Sequence, residues 1–209
     1  MPLLHLLLSA TLALPMPMGA HETSRDDEGR ASVRTTVEGF EFVDSAGDEV
    51  GEGRRRTYRI EVEPAAGVNL RWVTGAAERI LSDERGWTGV DRWRLQRVRH
   101  RPDIRVVIAT PATVDRLCAR AGLRTMGEVS CWNGRFAAIN VERWRHGADG
   151  FPGPLGAYRR YVLNHEVGHG LGYGHVSCPR PGVRAPVMQQ QTLRTRPCRP
   201  NGWPAQDPR

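Results

Sequence analysis

Apolar residues recur along this chain with three distinct spacings. In TYRIEVE (57–63) apolar and polar positions alternate, the period of a strand with one buried face. In VNLRWVTGAAERILSD (68–83), Leu70, Val73, Ala77, Ile80 and Leu81 fall at helical spacing. WRLQRV (93–98) and DIRVVIAT (103–110) read as strands, and the nearly unbroken apolarity of the second predicts burial on both faces. PATVDRLCARAG (111–122) predicts a short helix, with Pro111 near its start and Gly122 past its end. EVSCWNGRFAAINV (128–141) predicts a hairpin turning on Asn133-Gly134, the pair preferred where both central residues need positive φ. PLGAYRRYVLNHEVGHGLG (154–172) carries Leu155, Tyr158, Tyr161, Val162 and Leu163 and predicts a helix that ends where glycines accumulate. Beyond Val176, prolines at 179, 181, 186, 197, 200, 204 and 208 exclude long helices and inner strands.

These elements predict an α+β fold with a mixed, twisted sheet of about five strands, two long helices and an irregular C-terminal subdomain. Residues 57–209 are read as the folded domain. Residues 21–56 are polar and rich in Gly, Asp and Arg, and are read as a linker or short pro-segment, with VEGFEFVD (37–44) as a lone strand candidate.

The 209 residues suffice for one domain with short flanks. The net charge is +7, and all of the basic residues are arginine. The arginines are scattered, with RRR at 54–56 the only run of three, and no basic stripe interleaves with aromatics. No nucleic-acid partner is therefore expected. At the N-terminus, Leu3 to Leu14 form an apolar run shorter than the roughly 20 residues that span a bilayer. Followed by the small pair Gly19-Ala20, the run predicts a signal peptide over 1–20, secretion, and no stable membrane insertion once it is cleaved. Four cysteines behind such a leader predict disulfides. Of the 3 possible pairings, the sequence neighbours are favoured, Cys118 with Cys131 and Cys178 with Cys198.

Chemistry concentrates in HEVGHGLGYGH (165–175), which holds three of the seven histidines of the chain. On a helix His165 and His169 lie one turn apart and can direct two imidazoles at one metal ion. His175 joins them only if the chain leaves the helix first. Gly170, Gly172 and Gly174 fill that interval, and Gly172 is placed to take the left-handed conformation that ends a helix. Three histidines with an open fourth position are the ligand set of a catalytic zinc site. Glu166, beside His165, projects next to the ion and can take a proton from water and later pass it to a leaving amine. From the composition of this chain, the five fixed positions arise by chance on the order of once in twenty thousand such chains. His5 lies in the leader, and His21, His100 and His146 stand alone in polar surroundings and are read as surface residues.

HEVGHGLGYGH matches the signature HExxHxxGxxH, so the chain resembles the metzincin zinc metallopeptidases. It is also similar to an uncharacterised family of predicted secreted bacterial metallopeptidase domains in IATPATVDRLC, GEVSCWNG and PVMQQQTL, over about residues 57–204. The resemblance implies a zincin-like fold, one catalytic Zn2+ and a supporting methionine turn at Met188, thirteen residues past His175. Several metzincins carry a tyrosine two residues after that methionine; here the position is Gln190, which leaves the oxyanion stabiliser unassigned. The resemblance also implies an extended substrate along an edge strand, for which the first hairpin arm, Glu128, Val129, Ser130, Cys131 and Trp132, is the candidate.

The expected function is that of a secreted, monomeric zinc endopeptidase acting on a protein or peptide substrate. The alternatives are a zinc amidase or peptidase acting on cell-envelope peptides, and a non-enzymatic zinc-stabilised envelope module. Asp26, Asp27, Asp44 and Asp48 are candidates to block the open metal position in a latent form.

Overall fold

The computed structural model describes residues 31–207 apart from residue 91. The expected signal peptide, with His5, His21, Asp26 and Asp27, lies outside the described residues. In chain order the elements are β1 (Val33–Thr35), β2 (Glu41–Val43), β3 (Glu49–Gly51), β4 (Arg54–Val62), α1 (Leu70–Leu81), β5 (Trp93–Arg97) and β6 (Ile104–Ala109). There follow α2 (Pro111–Ala119), β7 (Cys131–Trp132), β8 (Phe136–Asn140), α3 (Val141–His146) and α4 (Leu155–Gly170).

The eight strands form one mixed sheet, three more than expected. Its main path runs β1-β2-β4-β6-β8-β7, while β5 pairs with both β4 and β3. The centre is parallel: β4 pairs with β5 and β6, and β6 with β8. All six residues of β6 are buried, and alternate side chains enter different layers. Val106 and Ile108 meet α1 and α4 in the main core, whereas Val107 and Ala109 meet Val114 and Leu117 of α2. Burial from both sides explains why this strand reads as a continuous apolar run.

Local chemistry sets the helix boundaries. The Asn69 side chain accepts from the Trp72 amide and starts α1. Thr110 occupies the matching position before α2, with Pro111 at the first helical residue. Asn140 starts α3, a helix absent from the expected set, by accepting from the Glu142 amide at 2.9 Å.

Residues 31–56 differ most from expectation. Instead of a linker they supply β1, β2, β3 and the start of β4. Phe40, Phe42 and Val43 are buried. The strand candidate at 37–44 contains β2, whereas β1 and β3, with three residues each, are too short to show a period. The RRR run is the beginning of β4: the guanidiniums of Arg54 and Arg56 lie 5.4 and 5.7 Å from the Trp93 ring centroid. Arginine packed this way extends a strand through positions that read as polar.

The hairpin is also shorter than expected. Only Cys131 and Trp132 of the first arm pair with β8, through Ala138 and Ala137; Glu128, Val129 and Ser130 lie outside the ladder. The central turn residues are Gly134 and Arg135, with Gly134 at φ 92°. Asn133 instead accepts the Arg135 and Phe136 amides through its Oδ1. Glycine at the first central position is the primed-turn arrangement that matches the strand twist.

Both expected disulfides are present, Cys118–Cys131 joining α2 to β7 and Cys178–Cys198 closing the C-terminal segment. From 171 to 207 there is neither strand nor α-helix. Buried amides hold this segment together. Gln191 donates to the Asn201 carbonyl at 2.8 Å and accepts the Asn201 amide at 3.0 Å. Asn164 of α4 donates to the Gly202 carbonyl at 2.9 Å.

Candidate metal centre

The C-terminal end of α4 carries His165, Glu166 and His169, and the chain then turns sharply. The Gly172 amide donates to the His169 carbonyl and the Tyr173 amide to the Gly168 carbonyl, each at 3.0 Å. This is the Schellman pattern, and it needs a left-handed residue at Gly172, whose φ is 98°. Only one of the three glycines expected to turn the chain does so. Gly170 is still helical, and a Cβ there would stand 2.8 Å from Ile104 Cδ1, so it serves close packing against β6. Gly174 has open space around it and no positive φ.

The turn returns His175 to the helix. Its Nε2 lies 3.3 Å from Nε2 of His165 and 3.0 Å from Nε2 of His169. Tetrahedral zinc with Zn–N of about 2.0–2.1 Å separates two ligand nitrogens by roughly 3.3 Å, so the spacing fits such an ion. Backbone carbonyls fix the rings. Nδ1 of His165 donates to the Val187 carbonyl and Nδ1 of His169 to the Tyr173 carbonyl, both at 2.8 Å. A carbonyl has no proton to offer, so in each neutral ring Nδ1 carries the hydrogen and Nε2 presents its lone pair. Burial lowers the proton affinity of all three, taking the His165 pKa down to about 3. Neutral imidazoles are the form that binds a metal.

Glu166 is buried beside them, and burial pushes its carboxyl up to about 8. Met188 packs beneath the helix. A Cβ on Gly168 would come within 2.5 Å of the Met188 sulfur and 2.6 Å of Trp87 Cζ2, so helix and methionine approach as closely as a glycine permits. Tyr173 stacks on Trp87 at 4.5 Å and its hydroxyl accepts the Trp93 indole N–H, so it packs beside the site.

A cavity of about 310 Å³ opens over the three histidines and Glu166. Val129, Ser130, Cys131 and Trp132 form part of one wall; Glu128, the fifth strand candidate, does not line it. Gln190 and Thr192 form part of the wall from the C-terminal segment. Sequence reading missed Tyr161, whose ring lies 5.3 Å from that of His165 and whose hydroxyl accepts the Thr192 amide. Its place four residues before His165, on the same helix face, was the available signal. The Val187 and Tyr173 carbonyls were also missed, and a backbone group leaves no trace in residue identity.

Asp44 and Asp48 lie away from this cavity, with Asp44 paired to Arg34 and Asp48 lining a separate small pocket. His100 and His146 are exposed, as expected. No helix among the described residues is long and apolar enough to cross a membrane. The two disulfides suit an oxidising compartment.

The molecule is thus an α+β protein with a mixed sheet and three histidines that could hold a metal ion. Over residues 27–203 it belongs to the DUF3152 family, proteins of unknown function. No curated protein and no solved structure matches the chain.

Proposed function

We propose that this chain is a secreted zinc endopeptidase of metzincin type, with a zincin-like fold. One observation carries the reading: three Nε2 atoms converge, backbone carbonyls lock two of the rings with the Nε2 lone pair free, and the buried Glu166 lines the same cavity. A structural zinc site closes its shell with four protein ligands, whereas three ligands facing a cavity leave a position for substrate or water.

His165, His169 and His175 would hold the ion. A bound zinc ion supplies Lewis acidity, making water more acidic and a carbonyl carbon more electrophilic. Glu166 takes the proton of the attacking water and delivers it to the amine as the C–N bond breaks. The β7 edge beside the site, with its short pairing, offers main-chain groups along which a peptide can lie extended. Met188 supports the helix from below.

The test is mass-spectrometric cleavage of a diverse peptide library by the mature, zinc-loaded protein beside Glu166→Ala. Cleavage that disappears in the variant supports a peptidase. Absence of cleavage by either, with one zinc per chain, removes general endopeptidase activity and leaves cell-envelope peptides as the substrate to examine.

A further inference from the structure

A second cavity, of about 330 Å³, lies on the far side of α4. It is lined by Gly156, Arg159 and Arg160, whereas Tyr161, His165 and His169 face the metal site. At 100° per residue the two sets are roughly 180° apart around the helix, so the cavities are separate.

Guanidinium and indole groups alternate around this second cavity. The Arg159 guanidinium lies 5.1 Å from the Trp72 ring centroid and 5.4 Å from that of Trp144. Arg85 and Arg160 both lie over Trp203, at 4.6 and 5.4 Å. Arg79 adds a fourth guanidinium. The one acidic group lining the cavity is Asp83, and both its oxygens are taken by Arg85, at 2.8 and 2.7 Å. Among the described residues, Arg79, Arg159 and Arg160 have no carboxylate partner in a salt bridge. The Arg160 Nε is buried without any hydrogen-bond partner. Burial disfavours the charged form of Arg159 and Arg160; on Arg160, repulsion from Arg85 adds to this and attraction to Asp83 opposes it.

Four guanidiniums around a single carboxylate leave an excess of positive charge in the cleft, which an entering anion offsets. A guanidinium fork matches the planar spacing of carboxylate and phosphate oxygens. Trp72, one of the lining residues, is 49% exposed, and an exposed indole offers a stacking face for a flat ring. We propose that this cleft is a binding site for an anion carried on a flat ring. Arg159 and Arg160 hold the phosphate or carboxylate, and the ring stacks on Trp72. The site is independent of the peptidase reading.

The test is calorimetric titration of the full chain at low salt with phenyl phosphate and benzoate, beside inorganic phosphate and phenol. At least one ring anion is expected to bind once per chain, and the tighter of the two names the acid. Inorganic phosphate and phenol are each expected to bind about tenfold or more weakly, since each lacks one of the two contacts. Trp72→Ala should reduce the ring anion to the affinity of its ringless counterpart. The double variant Arg159→Gln/Arg160→Gln should lose about tenfold or more, and the exposed Arg79→Gln a few-fold should the inner pair fail to fold. Unchanged circular dichroism and metal stoichiometry serve as the fold control. Absence of binding by both ring anions, full affinity in the folded double variant, or equal affinity for inorganic phosphate and phenyl phosphate would each overturn the proposal.

Discussion

The carbonyl oxygen of Val187 stands 2.8 Å from Nδ1 of His165, the most buried of the three imidazoles. The amide of the same Val187 donates to Oδ1 of Asp207, also at 2.8 Å. The Asp207 carboxylate therefore holds the residue whose carbonyl orients a helix histidine. Asp207→Ala should weaken zinc binding by about 10- to 100-fold, the usual effect of losing a group behind a ligand. Competition with a chromogenic chelator measures this, and an unchanged affinity would show that Val187 holds its place unaided.

Glu166→Ala should separate binding from chemistry. Zinc stoichiometry should stay at one per chain, because the three imidazoles remain. Peptide cleavage should fall by at least about 10² to 10⁴ with the loss of proton transfer. Elemental analysis paired with a steady-state peptide assay gives both readings, and full activity would remove Glu166 from the mechanism.

Gly168→Ala should destabilise the fold by about 1–3 kcal/mol, the range for an overpacked core. Its methyl would overlap the Met188 sulfur and the Trp87 ring. In the background of Met188→Ala the penalty should shrink, because one of the two obstacles is gone. Thermal unfolding of the four proteins in the cycle tests the contact, and strict additivity would place the strain elsewhere.

Arg105 carries the acid sensitivity. Its guanidinium is buried in the sheet and donates to Glu61 at 2.7 Å and to Glu38 at 2.7 and 3.0 Å. The hydrogen bonds from Arg105 hold the Glu38 carboxyl down to about 2, against a usual 4.5. A carboxyl lowered in the folded state contributes stability above its unfolded value and loses it as pH falls through the folded one. Stability should thus decline from about pH 4.5 towards about 2, and Glu38→Gln should flatten the curve in that window. Urea midpoints at several pH values supply the comparison, and parallel curves would exclude Glu38 as the source.

The sequence shows His165, His169 and Glu166 because one helical turn gives a four-residue spacing that residue identity can display. It also shows Gly172, since a histidine six residues past His169 needs a chain reversal and glycine reverses most easily. The β6 strand is legible because burial on both faces leaves an unbroken apolar run. By contrast β1 and β3 have three residues each, less than two periods of alternation, and β2 shows only as part of the apolar stretch at 37–44. The start of β4 is hidden by arginines whose stems and charges pack over Trp93. The second cavity is equally silent, because Trp72, Arg159 and Trp203 come together only when α1, α4 and the C-terminal segment meet.

The Cys118–Cys131 bridge ties one wall of the cavity to the helix behind it. Two residues of ladder pairing hold a strand weakly, and the covalent tie to α2 adds to the hydrogen bonds from Asn133 to the Leu117 carbonyl and from Asn140 to the Gly127 carbonyl. In reducing surroundings that brace opens, so the redox state around the protein should set how firmly the cleft over the histidines keeps its shape.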